Sequence, residues 1–119
     1  MGPKKHILTI SRDQVLQHSR TLLLQHTGYT VTALLGDSAV SKFLDAAARP
    51  ALDLVLMCHS VPEPSRVRLC DDLKLAYPDT PVLMLYNGYD PTAAKVDGRI
   101  MNTHDPKALV DALTMLVRP

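Results

Sequence analysis

The stretch "DLVLMCHSVPEP", Asp53 to Pro64, decides how this chain is read. Its first half is almost wholly apolar. A short apolar run without polar alternation suits a strand covered on both faces, as in a parallel sheet. Its second half carries two prolines among polar residues and reads as a loop at the strand's carboxyl end. Cys58 stands at the boundary. It is either a reactive thiol or a small residue filling the top of the strand.

Working outward, four more apolar runs match the "LDLVLM" run of Leu52 to Met57. They are "HILTI" (His6 to Ile10), "TVTALL" (Thr30 to Leu35), "PVLML" (Pro81 to Leu85) and the weak "RIM" (Arg99 to Met101), which suits an edge strand. Helical spacing fills the gaps between them. Gln14 to His26 places Val15, Leu16, Leu22 and Leu23 on one predicted face, and Gly28 is its expected stop. Ser38 to Ala48 repeats the pattern with Val40, Phe43, Leu44 and Ala47, capped by Asp37 or Ser38. A third helix starts at Ser65 and carries Val67, Leu69, Cys70, Leu73 and Ala76. Asp105-Pro106 opens the last, whose core face is Leu109, Ala112, Leu113 and Leu116. Strands alternating with helices imply an open parallel sheet with helices on both faces. Between Tyr86 and Gly98 there is room for only a turn or two of helix.

Composition narrows the function classes. The 119 residues suit one domain, spanning 1–119, and the 46% hydrophobic and 21% charged residues are ordinary for a globular chain. A net charge of +1 gives no pull toward nucleic acid or membranes. With 4% aromatic residues and no Trp, single-stranded nucleic acid has few stacking platforms. No apolar run is long enough to span a bilayer, and the N-terminus lacks a signal-peptide core, so a cytoplasmic location is expected. Two cysteines without a C-x-x-C spacing suit a reducing compartment.

Taken together, "GYTVTALLGDSAVSKFL", "DLVLMCHSVP", "LCDDLKLAYPDTPVLML" and "DPKALVDAL" resemble segments of the response-regulator receiver domain of two-component systems. The resemblance covers nearly the whole chain. It implies a flavodoxin-like α/β fold, a (βα)5 three-layer sandwich with parallel strand order 2-1-3-4-5, here with the fourth helix shortened or irregular. It also implies where a receiver's chemistry would lie. The acidic pair that binds Mg²⁺ falls on Ser11 and Arg12, with Asp13 next. The phosphoacceptor Asp falls on Cys58. The Thr or Ser after the fourth strand falls on Tyr86. The Lys after the fifth falls on Asn102, and the Pro beyond it on Thr103. A small residue in the loop after the third strand falls on Arg66. Pro62 alone keeps its identity in that loop.

The replacements do not suit phosphoryl chemistry. Magnesium wants hard oxygen ligands, and neither a neutral Ser11 nor a soft Cys58 sulfur replaces a carboxylate cluster. Arg12 puts a fixed positive charge where the cation would sit. The expectation is therefore a pseudo-receiver, not an enzyme, with no cofactor and no Mg²⁺, and with Arg12 reaching across the site. Cys58 is expected to be a half-buried filler; the sharper alternative is a thiol with its pKa lowered by Arg12, serving as a redox sensor. Asp13 is expected to cap the first helix in preference to joining Cys58 and His104 around a metal. Tyr86 either covers the emptied pocket or holds the surface beside it in one conformation.

The expected partner is a protein, either a histidine kinase or another signalling domain. A homodimer through the family's helix 4–strand 5–helix 5 side is a second expectation, with Tyr89, Ile100 and Met101 leaving an apolar edge open. Two other classes stay in view. One is a working receiver of unusual design that uses Asp13 or Cys58. The other is a flavodoxin-like ligand binder or redox-sensing thiol domain, against which "TISRDQ" offers no glycine for a phosphate loop.

Overall fold

In the computed structural model, which describes residues 4–86, 96–101 and 106–117, the strands alternate with helices. They are β1 (His6–Ser11), α1 (Gln14–Thr27), β2 (Thr30–Leu35), α2 (Asp37–Asp45), β3 (Leu54–Met57), α3 (Glu63–Ala76), β4 (Val82–Tyr86), β5 (Gly98–Met101) and α4 (Pro106–Leu116). All pairings are parallel, and the sheet order is β2-β1-β3-β4-β5. This is the expected 2-1-3-4-5 flavodoxin-like order, with helices on both faces.

Strand periodicity divides the core in two. Leu8, Ile10, Val55, Met57, Val82 and Met84 point to the face covered by α2 and α3, where they meet Val40, Leu69, Cys70 and Leu73. Ile7, Leu54, Leu56, Leu83 and Leu85 point to the other face, against Leu24 of α1 and Leu109 and Leu113 of α4. Cys58 continues the alternation of Leu54 and Leu56 and lies on that second face. Ile100 also packs there instead of forming an open apolar edge.

Helix α1 is rotated from the expected face, which is only half borne out. Leu16 and Leu23 are half-buried, with Leu23 packed against the second core. But Val15 is 75% exposed and Leu22 is 53% exposed, while Gln17 and Leu24 are buried. Apolar content alone favours the Val15 side, but a polar anchor sets the rotation. The Gln17 amide donates to the Leu34 carbonyl of β2 at 2.7 Å, and its oxygen accepts from the Thr9 hydroxyl of β1 at 3.1 Å. Both Thr9 and Gln17 are buried, so each needs its partner. The helix stops at Gly28 as expected. Its φ of 113° is open to glycine, and the Gly28 and Tyr29 amides bond the Gln25 and Leu24 carbonyls at 3.1 Å.

The other boundaries shift by a few residues. The cap of α2 is Gly36, with a φ of 88°, and neither Asp37 nor Ser38. Asp37 is freed for another role, and Ala47 lies beyond the helix end at Asp45. Helix α3 starts at Glu63, before Ser65, with a proline in its first turn. Arg66 therefore sits inside a regular helix, its amide bonding the Pro62 carbonyl at 2.9 Å, and no small residue is needed there. Strand β3 begins at Leu54, because the Asp53 carboxylate turns back to accept from the His6 amide at 2.7 Å. Asp97 does the same before β5, accepting from the Val82 amide at 2.7 Å and from Lys74 at 2.6 Å. The expected shortening between Tyr86 and Gly98 lies mostly outside the described residues, as does the Asp105 cap.

Replacing Gln17 with the similarly shaped methionine would leave a buried hydroxyl and a carbonyl unpaired. Chemical denaturation should then show a loss of about 2 kcal/mol. Adding Thr9→Val should regain part of that loss, since removing both partners costs less than removing one.

Candidate functional site

The carboxyl ends of β1 and β3 lie side by side at the centre of the sheet, where open α/β sheets commonly bind ligands. Ser11 ends β1, Arg12 and Asp13 form the turn into α1, and Cys58 follows β3. Ser11, Arg12, Asp13 and Cys58 are thus brought together. Tyr86, half-buried, ends β4 opposite Met101 of β5. Asn102, Thr103 and His104 lie outside the described residues.

Hydrogen bonds knit this rim. The Ser11 and Ser60 hydroxyls are 2.9 Å apart, and Ser60 accepts from the Arg12 amide at 2.9 Å. Asp13 caps α1 as expected, its carboxylate accepting from the Leu16 amide at 3.1 Å. The Arg12 side chain crosses the rim outward. Its Nη2 donates to Asp37 Oδ1 at 2.9 Å and to the Ser65 hydroxyl at 3.3 Å. Arg68 of α3 donates to the other oxygen, Asp37 Oδ2, at 2.6 Å. One carboxylate at the start of α2 therefore joins the β1–α1 turn to α3. The hydrogen bond from Arg12 holds the Asp37 carboxyl below the usual carboxylate range. Ser65 and the charges of Arg12 and Arg68 help, and partial burial opposes them.

Cys58 is fully buried rather than half-buried. Burial pushes its thiol pKa up, although the charge of Arg20 and hydrogen bonds with Arg20 and Ser11 pull the other way. Both findings run against the sharper alternative of a lowered-pKa thiol. Desolvation outweighs the cation, and the cation is Arg20 of α1 instead of Arg12. Sequence reasoning missed Arg20 because α1 is rotated from the face its apolar residues suggest. Cys70 is buried too, and its thiol is pushed up to about 11 by burial first and by Asp71 second. His59, half-buried, is held below the ordinary histidine pKa mainly by burial. Arg20 and Arg66 add to that effect, and Asp13 opposes it.

A receiver fold raises the question of magnesium, and the side chains present do not suit it. The Asp13 carboxylate is committed to the helix cap, and the Asp37 carboxylate is committed to two arginines. Ser11 and Ser60 are neutral donors, and Cys58 offers sulfur. Among the described residues no group of three or more His, Cys, Asp or Glu could hold a metal. Nor is any helix among them long and apolar enough to cross a membrane.

Two measurements follow from this geometry. Both thiols should resist a water-soluble disulfide reagent in the native protein and react once it is unfolded, because the thiolate is the reactive form. The Asp37 carboxyl should titrate by NMR below the ordinary value of about 3.9. Its stabilising contribution is present above that value and is lost as the pH falls through the lower folded one. Arg12→Gln should move the midpoint back up.

No protein-family model matches the chain, and no curated protein matches it by sequence. Solved structures do match in fold. The chemotaxis response regulator CheY4 of Vibrio cholerae is 18% identical, with a TM-score of 0.77 over 96% of this chain and 99% of that one. A response regulator receiver protein from Sinorhizobium medicae is 18% identical, with a TM-score of 0.79 over 96% and 94%. A CheY-like receiver domain protein from Methanospirillum hungatei is 20% identical, with a TM-score of 0.78 over 95% and 93%. The sheet order, the two helical layers and these likenesses converge on one architecture: the chain has the fold of response-regulator receiver domains.

Proposed function

We propose that this chain is a receiver-like signalling module that acts through protein contacts and does not accept a phosphoryl group. The observation that carries the reading is Cys58, a buried thiol with a raised pKa at the carboxyl end of β3, where the family resemblance calls for an exposed aspartate. The commitments of Asp13 to the α1 cap and of Arg12 to Asp37 support it further. On this reading the chain is not an enzyme and uses no Mg²⁺. The Asp37 bridge between Arg12 and Arg68 gives a physical reason for a fixed output. It ties the β1–α1 turn, α2 and α3 together, so the rim holds one arrangement without a covalent trigger.

The partner on this reading is a histidine kinase or another signalling domain, with self-association through the β5 and α4 side as the alternative. Two buried, unpaired thiols fit a reducing, cytoplasmic setting.

Incubation with a small-molecule phosphodonor and Mg²⁺, followed by intact mass measurement, tests the reading. The mass should stay unchanged. A stoichiometric gain of one phosphoryl group would overturn it.

A further inference from the structure

Helices α2 and α3 cover the same face of the sheet, and each returns the chain to the start of a parallel strand. They therefore run in the same direction, with their carboxyl ends on one side. Between them lies an open groove of about 480 Å³. Val40 and Leu69 form its buried floor, and Leu44 of α2 is half-buried beside them. Leu75, in the last turn of α3, lines the same groove and is 84% exposed. An exposed leucine alone means little, but this one adjoins an apolar floor.

Charge says what fits there. Asp45 closes α2 and Asp72 stands on α3, so each wall of the groove carries a carboxylate. Both are exposed, and neither has an ion-pair partner among the described residues. None of the described residues lining the groove is Lys or Arg. Basic side chains on the surrounding elements are used elsewhere. Arg68 pairs with Asp37 and Lys74 with Asp97, while Arg49 donates to the Leu44 carbonyl at 3.1 Å and lies over the Tyr77 ring. The carboxyl ends of two helices add further negative potential at this end.

A trough between two helices accepts a third, whose apolar ridge at i, i+3, i+4 and i+7 seats on the floor. With a carboxylate on either wall, the fitting helix carries Lys or Arg on both flanks of that ridge. The chain's own helices do not supply those flanks. Helix α1 exposes Val15 and Leu22, but its one Lys or Arg is Arg20, which acts on buried Cys58. Helix α4 exposes Met115, but its one Lys or Arg is Lys107, which pairs with Asp111.

We propose that the α2–α3 groove is a docking site for a basic amphipathic helix of a partner protein, with Leu75 as the apolar anchor and Asp45 and Asp72 as flanking acceptors. The proposal rests on the reading above that the chain acts through protein contacts. It places those contacts on the face of the sheet opposite α4.

The test is an NMR amide titration of the full chain with a synthetic helical peptide that has leucines at i, i+3, i+4 and i+7 and lysines on both flanks. One control peptide replaces every lysine with glutamate. Another scrambles the sequence so that no apolar face forms. The lysine peptide should shift resonances of α2 and α3 around Leu44, Asp72 and Leu75. Leu75→Ser should weaken binding by about tenfold. Asp45→Asn with Asp72→Asn should weaken it by about three- to tenfold, and added salt should erase that difference. Asp45→Lys with Asp72→Lys should reverse the preference, so that the glutamate peptide binds better than the lysine peptide. All three side chains are exposed, so these variants keep the core, and resonances of the sheet report their folding.

No saturable shift up to about 1 mM lysine peptide would overturn the proposal. Equal binding of the three peptides, shifts centred elsewhere, unchanged affinity in Leu75→Ser, or an unchanged preference in the lysine-substituted chain would do the same. Sedimentation of the chain without peptide reads the competing occupant. A dimer that Leu75→Ser dissolves would assign the groove to a second copy and overturn the proposal, whereas a monomer supports it. Failure here with no covalent mass gain from the phosphodonor would leave the non-phosphorylated reading standing. A mass gain would remove that reading whatever the peptide does.

Discussion

Two central strands, β1 and β3, are covered on both faces, and the rest of the molecule follows from that constraint. Ile7 to Ser11 and Leu54 to Cys58 are buried without interruption. In such an interior a polar group must find a partner or be costly. Thr9 therefore needs Gln17, and that need rotates α1 against its own apolar content. The strand amides at the entry edge need acceptors as well, and Asp53 and Asp97 supply them. Polarity resumes where the strands end, which is why the chemistry of the chain gathers at the carboxyl rim.

At that rim the receiver fold is kept while its charge pattern is inverted. Family resemblance expects carboxylates held by a cation. Here guanidinium groups are held by a carboxylate, with Asp37 joining Arg12 and Arg68. Exposed ion pairs contribute little stability. The value of this one lies in its geometry, since a single side chain links the β1–α1 turn to α2 and α3. Buried Cys58 lies instead in the apolar layer between β3 and helices α1 and α4, and that burial raises its thiol pKa.

Much of the fold was legible in residue patterns. The apolar runs located all five strands within two residues, and Gly28 marked the stop of α1. The helix faces were less legible where one polar residue carries the packing. Val15 and Leu22 outscore Gln17 on any hydrophobicity scale, yet the amide's two hydrogen bonds decide the rotation. That rotation also hid Arg20, whose charge acts on Cys58. Asp37 was misread for a similar reason. Next to a helix start an aspartate reads as a cap, but Gly36 took that position by its backbone conformation.

The sequence by itself determined the alternation of strands and helices, the placement of Ser11, Arg12, Asp13 and Cys58 at strand ends, and the lack of a carboxylate at the end of β3. These are properties of order along the chain, and periodicity transmits them directly. Only the tertiary structure decided which cation faces Cys58, which carboxylate captures Arg12, and that burial outweighs charge in setting the thiol. Those outcomes depend on distances between residues far apart in sequence and on how much water remains between them, and neither is written in local pattern.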